Sequence, residues 1–432
     1  MKPFTVLLVL LMSASVLADT VWLKGASLVD PVARKTEKID ISIVGGKVRR
    51  GHAPAKPGPR DRIVDISGRY IIPGIYDMHV HSTFGNPGPG GTRQSFTPQE
   101  AADAVLRAGV TGYLDLFADE NTIFAARTEQ RKTHQGADIF AAGPMFTCPG
   151  GHGTDLGSPT RTVSSPKEAE TQVAALAKKH PDVIKIAFDH AGEQEAAKPV
   201  LTPENLRAII HAAHRHGFKT IVHIGNWDDA KQAVLAGTDI VTHLYETDIP
   251  DDLVKLFQQH HITEIPTMTY QTELLHILEN RQFLTSPLLV AMLPLDLMNA
   301  YRNINPSDYY VQQTLAWQSR GRDSYPRSLA KLIKGGIPIL CGTDSGDLGV
   351  FHGFSVHREM VMMVQAGASP WTALASATTL SKKFLSRPSG IRDGDLADLV
   401  VIKGDPIQDI ANTQNVELVF HHGELVENAV GD

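Results

Sequence analysis

Between residues 70 and 385 short apolar runs alternate with amphipathic segments, and that alternation restricts the chain to a parallel α/β architecture. Strands are predicted over 70–79, 110–116, 138–146, 183–188, 219–224, 239–244, 262–266 and 337–341. Helices are predicted from Pro98, Glu120, Pro166 and Pro203, and over 228–236, 251–259, 327–334, 355–366 and 370–385. Eight such strands is the count of a closed (β/α)8 TIM-type barrel.

The flanks read differently. Residues 20–28, 39–44 and 62–66 form short alternating runs, Gly45-Gly46 before 47–49 is a two-residue hairpin signal, and 51–60 is a Pro/Gly-rich loop. Near the other end 399–402 is an apolar strand, and 416–420 and 424–426 flank a turn at His421-His422-Gly423. Both ends are expected to build one small β-sandwich. The expected division is a signal peptide (1–18), the N-terminal part of the sandwich (19–72), the barrel (73–385) and the C-terminal part of the sandwich (386–432). Residues 270–322 are too long for a plain loop and read as helical, placed over the barrel top. A lid, a contact between copies and a packing layer are equally compatible with them.

At 432 residues and 42% hydrophobic the chain can bury a large core. Its formal net charge is −6 and it has no long basic stretch, which argues against nucleic acid and for a small-molecule partner. Residues 1–18 carry Lys2, an apolar segment over 6–12 and the small-residue ending Val16-Leu17-Ala18, the pattern of a cleaved signal peptide, so a periplasmic or secreted location is expected. No later segment reaches the roughly 20 apolar residues of a membrane span. Cys148 and Cys341 fall on the third and eighth predicted strands, too far apart to bridge, and read as two structural thiols.

Active sites in such barrels sit at the C-terminal strand ends. His79 and His81 end the first strand, where residues i and i+2 share a face and can address one cation. Lys185 lies in the fourth strand, His223 in the fifth, His243 in the sixth, and the eighth runs into Asp344. Apolar neighbours surround each. Burial of Lys185 disfavours its ammonium, and the neutral amine can add carbon dioxide to give a carbamate that bridges two metals. A snorkelling side chain or a buried ion pair is the alternative reading of the same residue.

The chain resembles the amidohydrolase superfamily, and within it the binuclear branch of imidazolonepropionase-like and prolidase-like (Xaa-Pro or Xaa-Arg dipeptidase-type) metallohydrolases. The likeness rests on Pro73-Gly74-Ile75-Tyr76-Asp77-Met78-His79-Val80-His81, Gly150-Gly151-His152-Gly153, Val183-Ile184-Lys185-Ile186, Gly342-Thr343-Asp344, His357-Arg358-Glu359 and the run from Gly394 to Val401. The resemblance implies that His79 and His81 bind one metal, that His223 and His243 bind the other, and that carboxylated Lys185 bridges them. Asp344 completes the first site and serves as general base and acid. The cofactors are then two divalent ions, with zinc expected, plus carbon dioxide or bicarbonate for Lys185.

The resemblance also makes His152 a substrate contact; Tyr245 and Tyr270, near the sixth and seventh strand ends, can reach the same cavity. Relatives often carry a second histidine two residues after the fifth-strand ligand. Here that position is Gly225, which implies a roomier pocket or one lost substrate hydrogen bond.

The expected function is an exported binuclear metal-dependent hydrolase cleaving an amide-type C–N bond, in a dipeptide or an N-acyl amino acid. Hydrolysis of a cyclic amide, lactam, carbamate or ester by the same centre is the main alternative. A mononuclear deaminase and a non-enzymatic binding protein follow, and self-association is left open.

Overall fold

The structure is a computed structural model that describes residues 20–51, 58–190 and 198–426. The expected signal peptide lies outside the described residues. Among the described residues no helix is long and apolar enough to cross a membrane.

Both chain ends contribute to a pair of packed sheets. One has the order Lys47–Gly51, Asp40–Val44, Val21–Lys24, Arg62–Asp65; the other runs Glu424–Val426, Val416–His421, Leu399–Lys403, Arg69–Pro73, Ser27–Asp30, Lys35–Lys38. Leu23, Ile41 and Val48 of the first pack against Ile71, Leu399 and Phe420 of the second. The hairpin at Gly45-Gly46 is present, with Val44 opposite Lys47 and both glycines at positive φ, as a tight turn between twisted strands requires.

The expected single strand over 70–79 is in fact two. Arg69–Pro73 pairs antiparallel with Leu399–Lys403, whereas Ile75–Val80 pairs parallel with Val110–Asp115. The crossover needs Gly74, because a Cβ there would fall 2.2 Å from Thr111 Oγ1. The expected third strand divides likewise into Asp138–Ala141 and Phe146–Thr147, around Gly143 at positive φ and Pro144. The expected helix over 370–385 is broken into Pro370–Ser376 and Thr379–Phe384.

The central parallel strands form two sheets. Asp138–Ala141, Val110–Asp115 and Ile75–Val80 make one; Phe146–Thr147, Ile184–Phe188, Thr220–Ile224, Ile240–Thr242 and Thr263–Ile265 belong to the other. The expected eighth strand carries only isolated bridges, because Pro338 cannot donate to a ladder. Its backbone nevertheless joins the two sheets. Leu340 N donates to Glu264 O (2.9 Å) on one side; on the other, Met78 N donates to Cys341 O (2.9 Å) and Asp344 N to His79 O (2.8 Å). Across the far edge Asp182 N donates to Ala141 O at 2.9 Å.

Helices recur at the predicted places for a local reason. Thr97-Pro98, Ser165-Pro166, Thr202-Pro203 and Ser369-Pro370 each put a proline at the first helical position and a hydroxyl that accepts from the backbone N–H three residues on. The insertion is helical: Met268–Glu279, Pro287–Met292, Leu295–Arg302 and Tyr309–Gly321 enclose their own core of Leu274, Ile277, Leu289 and Tyr301, closed by Phe351 and Phe354. Cys148 and Cys341 are free and buried.

Candidate metal centre

A bulge in the first central strand sets the site. Tyr113 pairs with Asp77 but Asp115 pairs with Val80, so one extra residue is accommodated between them. Tyr76 and Met78 pack with Leu114, Val183, Ile221 and Ile240 in the interior. After the bulge His79 meets Lys185 and Thr242. A bulge re-aims side chains; here it turns the histidine pair toward the other strand ends.

Asp344 Oδ1 lies 3.2 Å from His79 Nε2 and 2.9 Å from His81 Nε2. Lys185 Nζ lies 3.3 Å from His79 Nε2. The His243 ring is 5.0 Å from that of His79 and 4.5 Å from that of His223. Six of the predicted site residues, His79, His81, Lys185, His223, His243 and Asp344, are therefore brought together, and all but His81 and His223 are fully buried.

Three of the residues that shape this cluster have left-handed backbone. His243 (φ 80°), Thr267 (φ 47°) and Asp344 (φ 64°) occupy a region that costs non-glycine residues energy, most of all a β-branched threonine. The surroundings compensate. Glu359 accepts hydrogen bonds from Met268 N and Thr269 N (2.8 Å each), fixing the turn after Thr267. Asp77, whose carboxyl burial pushes up to about 7, accepts from Thr343 N (3.0 Å) and Thr343 Oγ1 (2.7 Å), fixing the approach to Asp344.

Threonines hold two of the histidines, and the sequence reading missed them. Thr242 Oγ1 donates to Ile265 O (3.1 Å), so toward His79 Nδ1, at 3.0 Å, it can only accept. The His79 proton therefore sits on Nδ1, and Nε2 presents a lone pair. That lone pair faces Asp344 Oδ1, a buried oxygen with no hydrogen-bond partner. A cation between these two acceptors would relieve their 3.2 Å approach, and the donor set suits a divalent one. His243 Nδ1 lies 2.8 Å from Thr267 Oγ1, which anchors that ring.

Three of the four imidazoles are disfavoured as cations, whereas at His81 burial is outweighed by the hydrogen bond and charge of Asp344, which raise it. Burial, reinforced by the charge of Lys185, keeps the His79 imidazolium from forming; burial does the same at His243, and pushes His223 down to about 4. Neutral imidazoles are the metal-binding form. Burial pushes the Lys185 ammonium down to about 7, against the opposing pull of Asp344, so a nucleophilic amine is accessible near neutrality.

A cavity of about 570 Å³ borders the cluster. Phe84, stacked on His81 at 5.2 Å, and Tyr270, whose ring is 5.7 Å from His243, line it nearest the cluster. Arg93, Leu156 and Asp347 extend the wall, and Trp317 from helix Tyr309–Gly321 stacks on Tyr270 at 4.7 Å, so the insertion forms one side. Tyr245 does not line this cavity; it packs against Trp227 at 6.5 Å. His152 stands beside the cluster with its ring 4.2 Å from that of His223.

Gly225 does not leave open space. A Cβ at that position would fall 1.9 Å from Asp189 Oδ1. Asp189, another residue that the sequence reading missed, fills that room, so of the two alternatives for Gly225 the roomier pocket is not found.

The chain matches the amidohydrolase family over residues 70–426. A protein of Mycobacterium tuberculosis of uncharacterised function is 24% identical over 369 residues, 83% of this chain and 85% of that one. Among solved structures, a Xaa-Pro dipeptidase with methionine bound in its active site superposes with a TM-score of 0.73 at 22% identity, over 95% of this chain and all of that one. Molinate hydrolase superposes with a TM-score of 0.70 at 18% identity, over 95% of each chain. These likenesses carry the fold, and the family match spans the C-terminal strands of the sandwich and the residues around the buried cluster. The chain belongs to the amidohydrolase family and is a metal-dependent hydrolase acting on carbon–nitrogen bonds.

Proposed function

We propose that the protein is an exported binuclear hydrolase of dipeptides or N-acyl amino acids, built on an eight-stranded (β/α)8 barrel between the two ends of a β-sandwich. The observation that carries the reading is the convergence of Asp344 Oδ1 on the Nε2 atoms of His79 and His81, beside a buried Lys185. His79, His81 and Asp344 would hold one divalent cation and His223 and His243 a second, with Lys185, as its carbamate, between them. Zinc fits imidazole and carboxylate donors. Bound there, such ions polarise a carbonyl and acidify water.

The remaining steps belong to the protein. The carboxylate of Asp344 takes the proton of the attacking water and returns it to the departing amine. Thr242 holds the His79 imidazole in its ligating tautomer and Thr267 anchors the His243 ring, so little reorganisation accompanies the reaction. Tyr270, Trp317 and Phe84 offer an apolar surface to the substrate's side chain. Arg93 places a cation on the same wall, suited to a free carboxylate. A dipeptidase among the structural neighbours supports the substrate class.

Hydrolysis of a dipeptide and N-acyl amino acid panel, run beside lactams, carbamates and esters, tests the substrate class. Turnover confined to the cyclic or ester panel rejects it. Asp344→Asn is expected to abolish turnover with the fold intact, and full activity in that variant rejects its role. N-terminal sequencing of the mature protein tests export, with a start at Asp19 expected.

A further inference from the structure

Asp189 lies one residue beyond strand Ile184–Phe188, and its carboxylate reaches two imidazoles. Oδ2 stands 2.7 Å from His152 Nδ1 and 3.4 Å from His223 Nε2. The three residues come from three separate segments: the loop after Phe146–Thr147, the position just after Ile184–Phe188, and strand Thr220–Ile224. Their donor atoms lie within 4.8 Å of one another. A tetrahedral ion with bonds of about 2.0–2.1 Å separates its ligand atoms by roughly 3.3–3.4 Å. The His223–Asp189 spacing already has that length, and the shorter His152–Asp189 contact opens by a small side-chain rotation.

The backbone is arranged for this carboxylate. Gly225 does not sit at positive φ, so its conformation does not call for glycine; the Asp189 side chain does, since a Cβ would fall 1.9 Å from Oδ1.

We propose that Asp189 and His152 are ligands of the second divalent cation, joining His223 on the side of that ion away from His79 and His81. The proposal rests on the binuclear reading of the centre. It makes the second site a mixed imidazole and carboxylate site rather than one of imidazoles and the Lys185 carbamate alone. It also changes His152 from a substrate contact to a ligand.

The test is metal binding by the full chain, read without turnover. Metal-free protein is titrated with zinc against a chromophoric chelator, and with cobalt(II) followed by its visible spectrum. Wild type is expected to take up two equivalents, with Asp189→Asn keeping the first and binding the second more than about 100-fold more weakly. Outer-shell partners of a ligand are worth only about 10–100-fold, so a loss below about 100-fold overturns Asp189 as a ligand.

Gly225→Ala is the second variant. It expels the carboxylate while leaving every donor residue in the sequence, and is expected to lose the second equivalent as Asp189→Asn does, with no further loss in the double variant. Two unchanged equivalents in both variants overturn the proposal. A wild type that binds one equivalent, lost in Asp189→Asn, contradicts the binuclear reading yet supports the Asp189 site. A wild type that binds none overturns both.

Discussion

Thr242 offers a quantitative test of how the first cation site is prepared. In Thr242→Val the buried hydroxyl that accepts the His79 Nδ1 proton at 3.0 Å is replaced by a methyl of similar volume. With a cation on Nε2 the proton must stay on Nδ1, buried and without an acceptor. Without the cation the tautomer can reverse, and Nε2–H donates to Asp344 Oδ1 at 3.2 Å. The penalty therefore falls on the loaded state. The Ile265 carbonyl loses its 3.1 Å donor in both states, so that loss cancels.

An unmade buried hydrogen bond costs about 1–3 kcal/mol, equivalent to roughly 5–150-fold weaker binding. Chelator competition on metal-free protein reads this directly, with Thr242→Ser as the control that keeps the hydroxyl. The serine variant is expected within about threefold of wild type. A valine variant that binds like wild type, or a serine variant weakened as much as valine, would refute the tautomer argument.

Three further outcomes follow from the same contacts. Lys185→Ala is expected to lose metal and to abolish any stimulation of wild-type turnover by bicarbonate; metal analysis with and without bicarbonate checks this, and an unaltered metal content would contradict it. Glu264 is fully buried with both carboxylate oxygens unpartnered, so Glu264→Leu should raise stability by about 1–3 kcal/mol in urea unfolding. Burial raises its carboxyl well above the ordinary value, so the native state keeps a proton that the unfolded chain releases; wild-type stability should therefore fall, relative to the variant, as pH rises above about 4.3. Asp138 joins the tail hairpin to the central strands through Arg387 (2.6 Å) and His422 (3.0 Å), and Asp138→Asn should cost about 3 kcal/mol. Burial opposes its ionisation, but the His422 hydrogen bond and the His421 and Arg387 charges prevail, so this contribution is present above about pH 3.9 and is lost as pH falls.

How far the site was legible depends on what kind of signal each residue left. His79, Lys185, His223 and His243 could be seen because a titratable side chain inside an apolar strand run is costly and therefore conspicuous. Asp189 left no such mark, since an aspartate just past a strand is ordinary loop composition. Its trace was Gly225, read as empty space when the glycine is there because a carboxylate fills that space. Thr242 and Thr267 were hidden because a hydroxyl that holds an imidazole leaves no periodic pattern.

The limits on the fold are equally local. Strand and helix positions followed from hydrophobic runs and the Ser/Thr-Pro starts. The break at Gly74 was concealed by continuous apolar sequence on both sides, where only pairing partners separate a sandwich strand from a central one. The irregular 337–341 segment was read as a strand from its apolar content, although Pro338 removes a ladder donor. The bulge between Asp77 and Val80 reverses side-chain parity, and no alternation pattern shows it.

The central claim is a two-cation centre held by the clustered imidazoles, Lys185 and Asp344. A crystal structure of zinc- and bicarbonate-treated protein, with anomalous difference maps on both sides of the zinc edge, tests it most directly. Two peaks about 3.5–4 Å apart are predicted, one among His79, His81 and Asp344 and the other beside His223 and His243, with density continuing from Lys185 Nζ between them. A single peak, or two peaks with an unmodified Lys185 turned away from both, would contradict it.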